Sequence, residues 1–298
     1  MATEIFYSKA YIEAGTDFDT TRKSGWINDS LIADPIEGIQ VVAPTPLTVK
    51  QLCEVHSPVY VNALRTGLPR ELASSAGFGW DEGFFRAICA SNGGVVAAAL
   101  SALKSGGFAG SLSSGLHHAS YNSGNGFCAL NGLAIAARAA YKAGARKILV
   151  LDLDAHCGGG THDLLVGKEW VDSVDISVCQ MDSYAADNQH FTLDIIHNPA
   201  SYLARIALRL KELDDLDKSY DLVLYNSGMD AMEDCMIGGL KGLDFKTIAA
   251  REEMVFSWAR ENKYPLAFVL AGGYTGARLD EATLVALHRL TIAESARR

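Results

Sequence analysis

Cysteine and proline are both scarce in this 298-residue chain: 6 Cys (Cys53, Cys89, Cys128, Cys157, Cys179 and Cys235) and 7 Pro. The cysteines lie far apart with no CxxC pair, a spacing that predicts free thiols rather than a disulfide framework. Prolines and serines form no linker, and neither an internal repeat nor a low-complexity tract interrupts the chain. No apolar run approaches the ~20 residues of a membrane span. The start, Ala2-Thr3-Glu4-Ile5-Phe6 after the initial Met, lacks the charged and apolar regions of a signal peptide. Cations are also in deficit, 26 Lys and Arg against 35 Asp and Glu, for a formal charge of −9. That balance excludes clamping of nucleic acid or an anionic membrane by bulk charge. The expectation is a cytoplasmic globular protein without a membrane or direct nucleic-acid partner.

What is present is apolar residues, 49% of the chain, and 28 Gly. The length allows one large domain or two small ones, and the missing linker favours a single domain over 1–298. Short apolar runs at 38–42, 147–153, 174–178, 221–226 and 266–271 read as strands. Ala/Leu-rich stretches at 83–105, 131–143, 200–213, 246–262 and 280–295 have helical spacing. Strands alternating with helices predict an α/β fold: a three-layer αβα arrangement around a mainly parallel sheet. Residues 109–127 show no periodicity and read as a long loop, a kind of segment that is usually functional.

In a parallel sheet, ligands bind beyond the carboxyl ends of the strands, so the residues just past each strand are informative. Asp152, Asp154 and His156 fall at i, i+2 and i+4 on a strand exit, where a period of two puts them on one face. Asp230 comes after the 221–226 strand and supplies a third candidate ligand. Two carboxylates and one imidazole leave an open coordination position, as catalytic zinc requires. A lone Asp-x-His pair is more often a turn cap, so the case rests on the whole constellation. His117 and His118 sit in the long loop, and Asp152 is placed to accept a hydrogen bond from one of them. Gly272 and Gly273 allow a sharp turn that swings Tyr274 over the site, where a phenol is a good donor to a developing oxyanion.

Taken in order, His117-His118-Ala119, Gly126-Phe127-Cys128-Ala129-Leu130-Asn131, Asp152-Leu153-Asp154-Ala155-His156, Ser227-Gly228-Met229-Asp230 and Gly272-Gly273-Tyr274 resemble the zinc-dependent histone deacetylase family and its bacterial relatives. Phe18-Asp19-Thr20-Thr21-Arg22-Lys23, the stretch from Val55 to Val61 and Gly77-Phe78-Gly79-Trp80 resemble its short class IV-like branch. The resemblance spans about residues 5–280 and implies the arginase/deacetylase fold. It implies zinc on Asp154, His156 and Asp230, and His118 as general base and acid. His117 is then the electrostatic partner held by Asp152, and Tyr274 the donor to the amide oxygen. Phe127 becomes one wall of a substrate tunnel with the Gly126 carbonyl beside it, and Tyr184 a candidate second wall. A structural potassium near Asp152 and Ser177 is implied too. The implied reaction is removal of an acetyl or longer acyl group from an acylated amine by zinc-activated water. The implied partners are an acyl-lysine peptide, an acetylpolyamine or an acetylated metabolite.

The chain departs from the family pattern at Cys157 and Cys179, where His is usual, and at Gly159, where relatives carry Asp or Asn. The last change leaves His118 without its usual orienting partner. Two other readings compete. A binuclear manganese ureohydrolase needs a carboxylate at the place of Gly158. A non-catalytic acyl-amine binder is suggested only by the partner missing at Gly159.

Overall fold

The computed structural model describes residues 2–15, 18–215 and 219–297. Eight strands form one sheet: β1 (Thr3–Phe6), β2 (Ile39–Val42), β3 (Phe108–Ser111), β4 (Ile148–Asp152), β5 (Val171–Ser177), β6 (Phe191–Ile195), β7 (Leu222–Ser227) and β8 (Leu266–Leu270). Their order is β2-β1-β3-β8-β7-β4-β5-β6, and every pairing is parallel, so the expected mainly parallel sheet is wholly so. Strands β4, β5, β7 and β8 are buried along their whole length, whereas the edge strands β2 and β6 are partly open. That is the pattern of a parallel sheet covered by helices on both faces.

Alternation along each strand divides the core in two. Leu149 and Leu151 of β4, with Val223 and Tyr225 of β7, pack on one face beneath Ile248, Val255 and Leu287. Ile148 and Val150, with Leu222 and Leu224, pack on the other beneath Val95, Ala99, Leu133 and Ala137. The helices are capped as their sequences require: Asp81, Asn131, Asp244 and Asp280 each accept a hydrogen bond from the backbone N–H three residues on.

The helix Glu82–Ser105 corrects the reading of apolar runs. Its 24 residues include an 18-residue stretch of mean hydropathy 1.3, long and apolar enough to cross a membrane, but 67% of that stretch is buried inside the fold. It covers β3 and β8 as a core helix. Three strands went unread in the sequence: β1, β3 and β6. Strand β3 takes the start of the supposed long loop, hidden because Phe-Ala-Gly-Ser has little β-propensity. Gly110 is small there because a Cβ would lie 2.2 Å from the Phe268 ring on β8.

Candidate metal and catalytic site

Five neighbouring strands, β3-β8-β7-β4-β5, each carry a group of the candidate site beyond their carboxyl ends. Strand β3 leads to the His117–His118 turn, β8 to Tyr274, β7 to Asp230, β4 to Asp154 and His156, and β5 to Asp182. Beyond β1, Phe18, Asp19 and Lys23 close the same rim.

The candidate ligand atoms of Asp154, His156 and Asp230 all lie within 4.8 Å of one another, and all three residues are buried. Backbone donors aim both carboxylates. The Gly272 N–H donates to Asp154 Oδ2 at 2.8 Å, the His156 N–H to Asp154 Oδ1 at 3.1 Å, and the Ala155 N–H to Asp230 Oδ1 at 2.9 Å. The imidazole Nδ1 of His156 faces both, 3.2 Å from Asp154 Oδ1 and 3.2 Å from Asp230 Oδ2. Burial alone would lower the His156 pKa, but the two facing carboxylates outweigh it and push it up to about 11. Burial and the Asp154 charge raise the Asp230 carboxyl. Asp230 Oδ2 is buried and accepts no hydrogen bond among the described residues. A buried carboxylate oxygen without a donor is costly, and this one points where the other two candidate ligands converge. The donor set and this orphaned oxygen fit a divalent metal.

Around these residues the two histidines form a relay. His117 Nδ1 lies 2.8 Å from Asp152 Oδ2, and its Nε2 lies 3.1 Å from Nε2 of His118. Asn226 Nδ2 donates to Asp152 Oδ1 at 2.8 Å, fixing the carboxylate from its other side. Burial opposes protonation of His117, but Asp152 and Asp154 prevail and push it up to about 10. His118 moves the opposite way, lowered by burial and by the charge of His117. The orienting partner missing at Gly159 is supplied from another position: His118 Nδ1 lies 2.8 Å from Asp182 Oδ2. Asp182 escaped the sequence reading because it is 64 residues away in a stretch without motif. Its discovery also removes the one hint toward a non-catalytic binder.

The histidine turn is tied down by Asn131, whose Nδ2 reaches the carbonyls of His117 and Ala119 at 3.2 Å each. His56 braces the same turn, with Nδ1 2.8 Å from the Ser120 carbonyl and Nε2 accepting from the Asn131 N–H at 2.9 Å.

Phe127 stands at the site's mouth with φ of +62°, next to Gly126 at +50°. A Cβ on Gly126 would lie 2.4 Å from the His118 ring, so glycine lets this left-handed turn press against the imidazole. The Phe127 ring stacks on Phe18 at 3.9 Å and meets Phe78 at 5.6 Å. Phe18 also lies 5.3 Å from the half-buried Tyr274 ring. Burial and the charges of Asp230 and Asp154 hold the Tyr274 phenol well above its ordinary pKa, so it stays a proton donor. The aromatic partner of Phe127 is therefore Phe18. Tyr184 instead stacks on His162 at 4.3 Å and donates to the Thr192 carbonyl. Ser177 is buried, but its hydroxyl donates to Asp175 rather than to Asp152. Cys157 is buried with its thiol on the Cys179 carbonyl and pushed up to about 12 by burial and Asp175, so it is an inert packing group.

A family model for the histone deacetylase domain matches residues 19–290. The chain belongs to the histone deacetylase family. Among its relatives, an uncharacterized protein of Picosynechococcus sp. is 33% identical over 74% of this chain and 74% of its own length. Histone deacetylase 2 of Arabidopsis thaliana is 28% identical over 91% of this chain and 74% of its own. Of solved structures, the HD domain of HDA15 superposes with a TM-score of 0.82 at 19% identity, covering 99% of this chain and 90% of that one. The acetylpolyamine aminohydrolase of Burkholderia pseudomallei gives 0.80 at 18%, covering 98% of each. The fold is thus the arginase/deacetylase one, and membership of the histone deacetylase family supports an amide deacetylase.

Proposed function

We propose that this histone deacetylase family member is a zinc-dependent amidohydrolase that removes an acetyl or longer acyl group from an acylated amine in the cytoplasm. The observation that carries the reading is the buried Asp154–His156–Asp230 cluster with its orphaned Asp230 Oδ2, set beside paired histidines and a protonated phenol. Zinc held by these three residues supplies a Lewis acid for the amide carbonyl and lowers the pKa of water. His118, kept neutral, has its Nε2 placed to take the proton of the attacking water and to return it to the leaving amine. His117, charged and fixed on Asp152, stabilises negative charge growing nearby. Tyr274 donates its phenolic hydrogen to the amide oxygen as that oxygen becomes an anion. Phe127, backed by Phe18, offers an apolar wall to the alkyl chain, and the Gly126 carbonyl lies beside the amide.

A potassium ion near Asp152 and Ser177 is part of the same proposal. Burial and the Asp152 charge push the Asp175 carboxyl up to about 8, so its ionised form beside Asp152 is one that a monovalent cation would favour.

Acyl-lysine peptides, acetylpolyamines and acetylated metabolites all meet this centre's requirements. Hydrolysis of acetyl, octanoyl and myristoyl lysine peptides and of acetylpolyamines, each with and without a chelator, tests the reading. Chelator-sensitive amide hydrolysis is expected. Its absence across the whole panel refutes the proposal.

A further inference from the structure

The bond between Asp182 and His118 depends on the local backbone in two ways. Beyond β5 the chain is pinned beside the His156 segment: Val178 and Cys179 donate to the Ala155 carbonyl at 2.9 and 2.8 Å, and Cys157 donates to the Met181 carbonyl at 3.1 Å. It then turns at Asp182, whose φ of +63° is left-handed, and this turn sends the carboxylate inward to His118. Asp tolerates that conformation better than most residues. The second dependence is on position 159. A Cβ built on Gly159 would lie 2.4 Å from the Asp182 carbonyl oxygen, 2.6 Å from Oδ1 and 2.7 Å from Cγ. Any side chain there displaces the Asp182 carboxylate.

We infer that Gly159 and Asp182 form one positioning unit: glycine at 159 opens the space through which Asp182 holds His118 with its hydrogen on Nδ1 and its lone pair on Nε2. A carboxylate accepts and cannot donate when ionised, so it fixes the tautomer as well as the ring orientation. Nε2 then lies 3.1 Å from Nε2 of His117, the donor that this tautomer lets it face. Asp182 is not one of the three candidate ligands; it acts through His118, and the inference rests on the deacetylase reading only for its catalytic consequence. Because a Cβ at 159 meets both the backbone carbonyl and the carboxylate of Asp182, the bond to His118 requires glycine at 159.

The test uses the full chain and three variants: Asp182→Gly, Asp182→Asn and Gly159→Ala. Glycine accepts the left-handed backbone, and Asn tolerates it, so a folding failure of one leaves the other to decide. Imidazole ¹⁵N spectra of the metal-free protein report the tautomer without reference to activity. His118 is expected as the Nδ1–H form in the wild type, and as a tautomer mixture in Asp182→Gly and in Gly159→Ala, whose new methyl displaces the carboxylate. In turnover of an acyl-lysine peptide, Asp182→Gly is expected to lower kcat about 10–100-fold with little change in KM, as for loss of an orienting partner. Asp182→Asn keeps an acceptor without the charge and falls between. Gly159→Ala is expected to lose kcat as Asp182→Gly does. Unchanged His118 spectra in Asp182→Gly or in Gly159→Ala, or wild-type kcat in either, would overturn the proposal. A wild type with no hydrolase activity refutes the deacetylase reading instead, while the spectra still decide the positioning unit.

Discussion

Arg251 is fully buried and joins the two strand ends that deliver the candidate metal ligands. Its Nη1 donates to the Gly228 carbonyl at 2.7 Å and to the Leu153 carbonyl at 3.1 Å, and its Nε donates to Glu252 Oε1 at 2.8 Å. Leu153 precedes Asp154, and Gly228 lies two residues before Asp230. Arg251→Met fills much of the stem volume but strips both carbonyls of this donor and leaves the Glu252 carboxylate without its counter-charge. Tyr225 and Ser227 still donate to Glu252, at 2.6 and 3.2 Å, so the carboxylate does not become wholly unsatisfied. Breaking a buried pair by removing one partner costs about 3–5 kcal/mol, and each kcal/mol moves Tm by about 2–4 °C in a domain of 150–250 residues. The expected result is a fall of about 10 °C in Tm, followed by circular dichroism on metal-free protein so that bound metal adds nothing to the folded state. Arg251→Lys, able to reach one carbonyl but not to form the fork, should fall about halfway. A methionine variant melting within about 2 °C of the wild type would refute the view that this guanidinium holds the ligand strands together.

Tyr274→Phe should lower kcat by about 10²–10³ with Tm little changed, since the ring keeps its contact with Phe18; turnover within threefold of wild type would remove the phenol from the reaction, on the same scale. Asp230→Ala should lose stoichiometric zinc after dialysis, read by elemental analysis, and retention of a full equivalent would contradict the ligand assignment. Burial holds His56 neutral down to about 4 in the folded state against an ordinary 6.5. The unfolded chain therefore binds a proton that the folded one refuses. This histidine's contribution is complete above about 6.5 and is lost as pH falls toward 4, by about 3 kcal/mol in all. The difference in denaturant stability between wild type and His56→Gln should shrink over that interval; a difference independent of pH would exclude the titration.

Sequence legibility tracked local signal. The continuous apolar runs of β4 and β8 and the helix around 246–262 were readable because each is fully or half buried along a regular period. Asp154, His156 and Asp230 were readable because short motifs at strand exits carry their chemistry. Strands β1 and β3 were not, being four residues long and bounded by polar or glycine-rich chain. Asp182 was invisible for another reason. Its role comes from a left-handed turn and from an empty space at Gly159, and neither is written in residue types near it. Phe18 was seen as part of a motif, but its stacking on Phe127 depends on a contact across 109 positions that only the folded chain creates.

The histidine turn, the phenol and the three candidate ligands come from neighbouring strands that are distant in sequence, so no short segment holds the site by itself. Pairings this non-local form late in folding, and metal affinity should appear only once the central strands have docked. A bound ion then protects the molecule as a whole, slowing amide exchange in β4, β7 and β8 together rather than at the loops that touch it.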